Sequence, residues 1–485
     1  MNNAIRHAWV VAVALFLSLF VALSLIQVVL ADQLNSHPQN ARETIASAGA
    51  PRGPITVDGS PIAESVPSET QYDYQRIYHD PQLYSGITGY FSVVDRTPVG
   101  LEQALNDYLS GQSDSQFFDR ISSLFTGQTM QGAQVELTLD AELQRQAHDL
   151  IPDDRRGTII VTDVTTGEVK ALASKPTYDT NELAVHSSAQ FEENMERITN
   201  VEGLSPYRSR ALDVPIAPGS TFKLVDTLAM LESGDYELDT ELDNPNTIEL
   251  PQSNSTLSNL DTGACLQRDE AEFQWIFANS CNTPFAEAAM ELGEEPIRQA
   301  AESFGWNDSD VNIPLGLTTS VFPEVTGDAE LALSSIGQLN VTATAMQMNM
   351  VAASIANDGE MMQPQLVDII RGSDLQVLHQ STPEVLNDVM DSSTAADMTD
   401  MMVQTVESGT AQGAQSSRFD VAAKTGTAER GDEEDETVNS WITGFAPADD
   451  PQYAVTVVYE GIDMGTGTQL TRSQMLTMLE AVIEE

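Results

Sequence analysis

Basic residues are scarce in this chain, and lysine is scarcer than arginine. There are 22 lysines and arginines against 73 aspartates and glutamates, a formal charge of −51 at pH 7, and only four residues are lysine. A surface this negative repels phosphate backbones, which excludes nucleic acid as a partner. Such an excess of acidic over basic residues is typical either of adaptation to high ionic strength or of an acidic shell that keeps the chain soluble.

Histidine and cysteine are also few, and several common chemistries lack their signature. The six histidines form no His-Glu-x-x-His pair, so we predict no metal site and interpret His148, His186 and His379 as surface or packing residues. The chain has no Gly-x-Ser-x-Gly elbow and no glycine-rich phosphate loop, and we expect no cofactor. Cys265 and Cys281 enclose a short loop, and the sequence leaves open whether they are bridged or free.

One long apolar run stands near the N-terminus. Residues 8–30 are long enough, at ~1.5 Å per residue, to cross roughly 30 Å of hydrocarbon. Arg6 before the run and Asp32 after it predict that residues 1–7 are cytoplasmic and the rest of the chain is extracytoplasmic. A cleaved signal peptide is the alternative, but its apolar core is usually only ~7 to 15 residues long. We therefore predict a single-pass membrane anchor.

The patterning of the exported part changes at about residue 137. Residues 31–137 are mixed and carry no chemical constellation, which predicts a small N-terminal spacer or docking domain, or else an extension of the main domain. Residues 138–485 read as a helix capped by Asp140, two strands, a long helical stretch, three more strands and a final amphipathic helix. The predicted strands are residues 157–163, 168–174, 421–429, 440–446 and 453–459, and the final helix is 470–483.

This order of elements predicts an α/β (α+β) fold for residues 138–485. Two strands before the helical stretch and three after it favour one antiparallel five-stranded sheet flanked by helices. The intervening stretch is then an all-helical subdomain that forms one wall of a cleft.

Three short runs, each present once, supply candidate chemistry. In the first, Ser220 follows a Pro-Gly turn and lies in the first turn of a predicted helix. Lys223 lies one turn further on the same face and can take the hydroxyl proton. A lysine base must be neutral, which costs roughly 4.6 kcal/mol at pH 7, so its surroundings must lower its pKa. A lone Ser-x-x-Lys is usually an ordinary solvent-facing pair on a helix. Here the presence of the two other runs favours a catalytic pair instead.

The second run is Ser280-Cys281-Asn282. A serine and an asparagine two residues apart can face one site if the segment is a non-helical loop. The Ser280 hydroxyl can pass a proton to a leaving amine, and Asn282 can hold a peptide carbonyl.

The third run begins at Lys424 on a predicted strand. A second ammonium group near Lys223 lowers the pKa of that lysine, so we expect both lysines to converge on one cleft. Lys424, Thr425 and Thr427 offer charge, hydroxyls and backbone donors to a carboxylate substrate. Gly426 lets a substrate backbone approach closely.

With these motifs the chain resembles the penicillin-binding proteins of class B, the transpeptidase-only kind, and among them the actinobacterial penicillin-binding protein A type. The resemblance covers nearly the whole length and implies the fold shared by penicillin-binding transpeptidases and serine β-lactamases. The further resembling stretches are residues 52–55, 88–90, 166–167, 335–338 and 441–447.

The resemblance implies an activity on peptidoglycan. In the family, a serine attacks the D-alanyl-D-alanine end of a stem peptide, releases the last D-alanine, and passes the acyl group to an amine of a neighbouring stem. Carried over by position, the implied roles are Ser220 as nucleophile, Lys223 as base, Ser280 as relay, Asn282 as substrate contact, Lys424, Thr425 and Thr427 as carboxylate site, and the backbone amides of Ser220 and Thr427 as oxyanion hole.

The resemblance also implies partners and inhibitors. β-Lactams are expected to acylate the serine, and a membrane glycosyltransferase is an expected partner, since residues 31–135 are too short to form such a domain themselves. The chain departs from the family pattern in an acidic run, residues 432–436, which follows the Lys424 strand; such runs are usually solvated loops.

Other functions fit the motifs less well. A D,D-carboxypeptidase differs only in using water as acceptor and is kept as the alternative enzyme. A non-catalytic β-lactam-binding scaffold or sensor is the alternative from another class, although complete motifs and a single span argue against it. A serine β-lactamase needs a deacylating base, and no Glu-x-x-Leu-Asn occurs between Asn282 and Lys424.

Overall fold

The structure of the chain, a computed structural model, describes residues 3–26, 30, 50–95, 97–116, 131–260, 263–311, 313–430 and 437–483. The acidic run 432–436 and Asp32 lie outside the described residues, as do residues 27–29 of the predicted anchor.

The described chain contains both helices and strands. The helices are α1 Asn3–Ser24, α2 Ser85–Thr88, α3 Leu101–Ala104, α4 Asn106–Leu109, α5 Ala141–Leu150, α6 Ser188–Thr199, α7 Arg210–Asp213, α8 Lys223–Ser233, α9 Phe273–Asn279, α10 Thr283–Leu292, α11 Glu294–Ser303, α12 Asp328–Ser335, α13 Ala345–Ala356, α14 Ser392–Glu407 and α15 Met464–Val482. The strands are β1 Ile55–Val57, β2 Ser60–Pro67, β3 Tyr74–Tyr78, β4 Gln134–Leu137, β5 Arg156–Asp163, β6 Val169–Lys175, β7 Glu241–Asp243, β8 Thr247–Glu249, β9 Thr256–Ser258, β10 Glu270–Glu272, β11 Glu360–Met362, β12 Val367–Arg371, β13 Val377–Gln380, β14 Val385–Asp388, β15 Ala422–Glu429, β16 Thr437–Ala446 and β17 Tyr453–Asp463.

Helix α1 carries an apolar stretch, Ile5–Ser24, of 20 residues that is long enough to cross a membrane. None of that stretch is buried against the rest of the protein. A helix that is apolar on all sides and unburied is typical of a membrane span.

The predicted five-stranded sheet is present. Its strand order is β15-β16-β17-β5-β6, and every neighbouring pair is antiparallel. The two hairpin strands at one edge come before the helical stretch and the other three come after it, as the sequence indicated. Helix α13, all of whose residues are buried, packs on one face. Helices α5 and α15 cover the other face around Leu143, Ile151 and Met475.

Two details of this domain differ from the sequence prediction. Helix α15 begins at Met464 rather than at residue 470, because the Asp463 side chain caps it by accepting a hydrogen bond from the backbone N–H of Thr466 at 2.9 Å. The intervening stretch has the predicted helices but also contains the short pairs β7–β10, β8–β9 and β11–β14. These strands have only three or four residues, too few to show an alternating pattern.

A second, six-stranded sheet joins the N-terminal part to a later hairpin. Its order is β13-β12-β4-β1-β2-β3. Strand β4 pairs with β12, whose residues follow it by more than two hundred positions, and with β1 in parallel. The pairing explains why residues 31–137 looked irregular as an isolated segment, since part of their sheet is supplied by β12 and β13.

A buried ion cluster holds the N-terminal part together. The Glu102 carboxylate, fully buried, accepts hydrogen bonds from Arg52 Nε at 2.8 Å and from Arg76 Nε at 2.5 Å. The Tyr78 hydroxyl donates to the same carboxylate at 3.1 Å and accepts from the Phe91 backbone N–H at 2.7 Å. Burial raises the pKa of Glu102, but the two guanidinium groups outweigh it and hold the pKa below its ordinary value. The carboxylate is therefore ionised and links three segments of the chain.

We expect Glu102→Gln to destabilise the protein by about 3 to 5 kcal/mol, because it leaves two buried guanidinium groups without their counter-ion. Denaturant unfolding of the detergent-solubilised chain measures this loss. The matched control is Arg145→Gln, which removes the half-exposed pair of Arg145 with Asp80, also 2.8 Å apart, and should cost less than about 1 kcal/mol. Equal losses in the two variants would contradict the role assigned to the buried cluster.

Candidate active site

Ser220 lies in a tight turn whose backbone has no room for a larger residue. The 3₁₀ turn Gly219–Phe222 leads directly into α8. Gly219 has a φ of +53°, and a Cβ atom there would lie 2.4 Å from the carbonyl oxygen of Thr427. The Gly219 N–H donates to the Gly337 carbonyl at 3.0 Å. Strand β15 on one side and Gly337 on the other thus fix the position of Ser220.

Lys223 is fully buried at the start of α8, under the Ser220 turn. Its Nζ donates to the carbonyl oxygens of Ser280 at 2.9 Å and Cys281 at 2.8 Å, and to Asn282 Oδ1 at 2.8 Å. Burial first, and the nearby Lys424 charge second, lower the pKa of Lys223 well below its ordinary value. Three acceptors suit an ammonium group, whereas a neutral amine donates only two hydrogen bonds, so deprotonation must release one of these contacts.

The second run forms the loop between α9 and α10. Ser280 caps α9 in the left-handed conformation, with a φ of 60° and a ψ of 37°. A residue other than glycine pays on the order of 1 to 2 kcal/mol for this conformation. The reversal directs the Ser280 carbonyl at Lys223 and the Ser280 hydroxyl at Lys424. One serine therefore joins both lysines.

Two buried asparagines and a disulfide hold this loop from behind. Asn259 Oδ1 accepts hydrogen bonds from the backbone N–H groups of Asn282 at 2.6 Å and Thr283 at 3.2 Å. Its Nδ2 donates to Asn244 Oδ1 at 2.9 Å, and Asn244 is itself fully buried. Cys265 and Cys281 are bridged, which settles the alternative that the sequence left open.

Lys424 is buried beneath the cleft rather than exposed on its wall. Its Nζ donates to Ser280 Oγ at 2.9 Å and to the carbonyl oxygen of Thr425 at 3.0 Å. Nζ also stands 5.5 Å from the centre of the Phe277 ring. Burial lowers the pKa of Lys424 to about 7. The two lysines predicted to meet in one cleft do so through Ser280.

Strand β15 passes close to the turn that carries Ser220. A Cβ atom on Gly426 would lie 2.7 Å from the Pro218 carbonyl oxygen and 2.8 Å from Thr221 Cγ2, so only glycine permits this approach. The hydroxyls of Thr425 and Thr410 are 2.6 Å apart. The third run thus lies against both the turn of the first run and the end of α14.

A cavity of about 740 Å³ opens above these groups. It is lined by six of the eight predicted site residues, while Lys223 and Lys424 lie below its floor. The predicted residues on its wall are Ser220, Ser280, Asn282, Thr425, Gly426 and Thr427.

The structure also adds residues that sequence reasoning missed. Asn259, Thr410 and Arg472 line or support the cavity, and no motif marked them. The Trp441 indole N–H donates to the Ala217 carbonyl at 3.0 Å and so supports the segment that leads into the Ser220 turn. Trp441 and Gly337 fall within stretches noted for their resemblance, which was the available signal for these two.

Asp226 is a buried acid that no sequence motif marked. It lies one turn beyond Lys223 on α8, and neither carboxyl oxygen has a hydrogen-bond partner among the described residues. Burial raises its pKa well above the ordinary value, although the charge of Lys223 opposes this. The neutral acid is the form that such surroundings favour.

Comparison with known proteins identifies the families and individual proteins that this chain is similar to. The family model of the penicillin-binding protein transpeptidase domain matches residues 157–483. The family model of the penicillin-binding protein A dimerisation domain matches residues 52–135. The peptidoglycan D,D-transpeptidase PbpA of Mycolicibacterium smegmatis is 34% identical over 95% of this chain and 94% of its own length. PbpA of Mycobacterium tuberculosis is 31% identical, and the match covers 100% of this chain and 99% of that protein.

A solved structure of a similar protein has the same fold as this chain. The ceftriaxone acyl-enzyme complex of penicillin-binding protein A from M. tuberculosis superimposes with a TM-score of 0.85 at 29% identity. The match covers 91% of this chain and 100% of that one. The predicted fold class is therefore confirmed.

We expect Asp226→Asn to stabilise the protein increasingly as pH rises from about 4 towards 7. In the unfolded chain the acid ionises above its ordinary pKa of 3.8, whereas in the folded chain its raised pKa keeps the proton. Folding of the parent then requires proton uptake, so its stability falls with pH, and the amide escapes this loss. Denaturant unfolding at several pH values measures the gap.

The control for this prediction is Asp235→Asn, which changes an exposed acid just beyond the same helix. Its stability curve should run parallel to that of the parent across the same pH range. A gap between Asp226→Asn and parent that stays constant with pH would contradict the assignment of a neutral buried acid.

Proposed function

The chain belongs to the penicillin-binding protein transpeptidase family, and on that premise we propose that it is a serine-type peptidoglycan D,D-transpeptidase. The observation that carries the proposal is the pair of buried lysines joined by one serine. Lys223 Nζ contacts the carbonyl of Ser280 and Lys424 Nζ contacts its hydroxyl, each at 2.9 Å, beneath a cavity that Ser220 lines. β-Lactams are expected to acylate Ser220, since penicillin-binding protein A from M. tuberculosis forms an acyl-enzyme complex with ceftriaxone.

Acylation begins with proton transfer from Ser220 to Lys223. The neutral amine of Lys223 accepts the hydroxyl proton while Ser220 Oγ forms a bond to the carbonyl carbon of the penultimate D-alanine. The backbone N–H groups of Ser220 and Thr427 stabilise the oxyanion, because β15 and the Gly219 turn are in direct contact. The surroundings that lower the pKa of Lys223 are what make it a base near neutral pH.

Release of D-alanine requires a proton on the leaving nitrogen. Ser280 Oγ supplies it and is resupplied from Lys424 Nζ, to which it is hydrogen-bonded at 2.9 Å. An amine of a second stem then attacks the acyl carbon and gives up a proton through Ser280 Oγ to the neutral Lys424. The ester bond to Ser220 breaks, and Oγ recovers its proton from Lys223. Asn282 holds the substrate's peptide carbonyl, and Thr425 and Thr427 hold its terminal carboxylate.

The N-terminal helix supports a proposed location at the membrane. Helix α1 serves as a single-pass anchor, with Arg6 near its cytoplasmic end and the sheet domains on the outer side. Residues 31–137 form a docking domain, and residues 138–485 the transpeptidase domain. A membrane glycosyltransferase, which supplies new glycan strands at the same surface, is the proposed partner.

Ser220→Ala is expected to abolish labelling by a fluorescent penicillin, because the label forms an ester with this hydroxyl. Ser233→Ala, at the far end of the same helix, is the matched control and should label like the parent. Gel fluorescence of membranes measures both. Labelling that survives in Ser220→Ala would refute the proposal.

Product analysis with an added amine acceptor separates a transpeptidase from a D,D-carboxypeptidase, which would form only the hydrolysed peptide.

In a plot of acylation rate against pH, we expect Lys424→Met to shift the rise in rate to a higher pH. Burial and the Lys424 charge together lower the pKa of Lys223, so removing the charge lets that pKa rise. Stopped-flow acylation across the pH range, scaled to its maximum, measures the midpoint. Lys170→Met, which removes a lysine paired with Glu168, is the control and should leave the midpoint unchanged. A uniform loss of rate with no change in midpoint would contradict the coupling.

A further inference from the structure

Arg472 stands on the cavity wall beside the third run. It lies on α15 one turn after Thr468, which also lines the cavity, as does Met464 one turn earlier. The stem of Arg472 packs over Gly413, where an added Cβ atom would lie 3.1 Å from both Cβ and Cδ of the arginine.

Two further contacts place Arg472 near Thr425 and Thr427. Gly413 follows three residues after Thr410, whose hydroxyl is 2.6 Å from that of Thr425. On the same helix, a Cβ atom on Gly467 would lie 2.6 Å from Ser440 Cβ, and Ser440 pairs with Thr427 across the sheet. Helix α15 therefore packs against β16 at Ser440, the residue that pairs with Thr427 of β15.

The guanidinium group of Arg472 has no partner among the residues that the structure describes. Its Nε is buried and unpaired, and Arg472 forms no ion pair or side-chain hydrogen bond with the residues that the structure describes. Burial is the sole cause that lowers its pKa, so no charged neighbour compensates it. In a chain with 73 acidic residues, an arginine left unpaired at a cavity is unexpected unless it serves a ligand.

The other cations of the site are already engaged. Lys223 donates to three oxygens, and Lys424 donates to Ser280 Oγ and the Thr425 carbonyl, both beneath the floor of the cavity. Among the described residues that line the cavity, Arg472 is the one cation and Glu429 the one anion. An anion entering near the two threonines thus has a free positive group only at Arg472.

We propose that Arg472 binds the terminal carboxylate of the donor stem peptide, together with the hydroxyls of Thr425 and Thr427. The inference rests on the proposed function and adds a specificity-determining residue to it. A planar guanidinium group can hold a carboxylate through two parallel hydrogen bonds, which a buried lysine acting from below cannot do. The preference for a free carboxylate at the end of the substrate then depends on Arg472.

The test compares two acyl donors that differ in this group alone. One is a short D-alanyl-D-lactate depsipeptide with its free carboxylate, and the other is its neutral methyl ester. For Arg472→Gln, acylation of Ser220 by the free acid should fall by about ten- to a hundredfold relative to the parent, because a charge-assisted hydrogen bond is lost. Acylation by the methyl ester should stay within about twofold, and Arg472→Lys should recover part of the rate with the free acid.

Equal losses with both donors, or unchanged rates with both, would overturn the proposal. Arg155→Gln, which changes an exposed arginine, is the control and should leave both rates as in the parent. Thermal unfolding of each variant in detergent shows whether it is folded, and only folded variants enter the comparison. Failure of the proposed function itself looks different, because then neither donor would acylate the parent and Ser220→Ala would change nothing.

Discussion

Two buried lysine amino groups that meet at one serine impose the main constraint on this structure. Lys223 and Lys424 have no exposed surface, and polar groups removed from water must find hydrogen-bond partners in the protein. Their acceptors are backbone carbonyls, one amide and the Ser280 hydroxyl. The loop that provides them must keep an unfavourable left-handed residue at Ser280, so the surrounding structure has to hold it there.

That support is largely polar on one side and steric on the other. Behind the loop, Asn259 and Asn244 pass hydrogen bonds from one buried amide to the next, and the Cys265–Cys281 disulfide closes the segment. Across the cavity, Gly219 and Gly426 permit backbone contacts that any larger side chain would prevent. Both kinds of support hold Ser220, Ser280 and the two lysines in place, and such preorganisation reduces the reorganisation that the proposed reaction would require.

Sequence reasoning predicted the five-stranded sheet and its helices well, because long strands and amphipathic helices repeat their patterns over many residues. It did not reveal the strands of three or four residues, nor the pairing of β4 with β12, which joins segments far apart in the chain. At the site it predicted which groups should converge. It did not predict that Lys424 would lie below the cavity, or that Arg472 would line it, since neither follows from local spacing.

The sequence by itself determined the chemical groups available, namely a serine with a lysine one turn away, a second serine near an asparagine, and a strand that begins with lysine. It also determined the apolar N-terminal run and the acidic surface, since these are properties of composition and order. Only the tertiary structure decided which groups line the cavity and which lie beneath it. Depth and orientation come from packing between distant segments, and such contacts leave no periodic signal in any one of them.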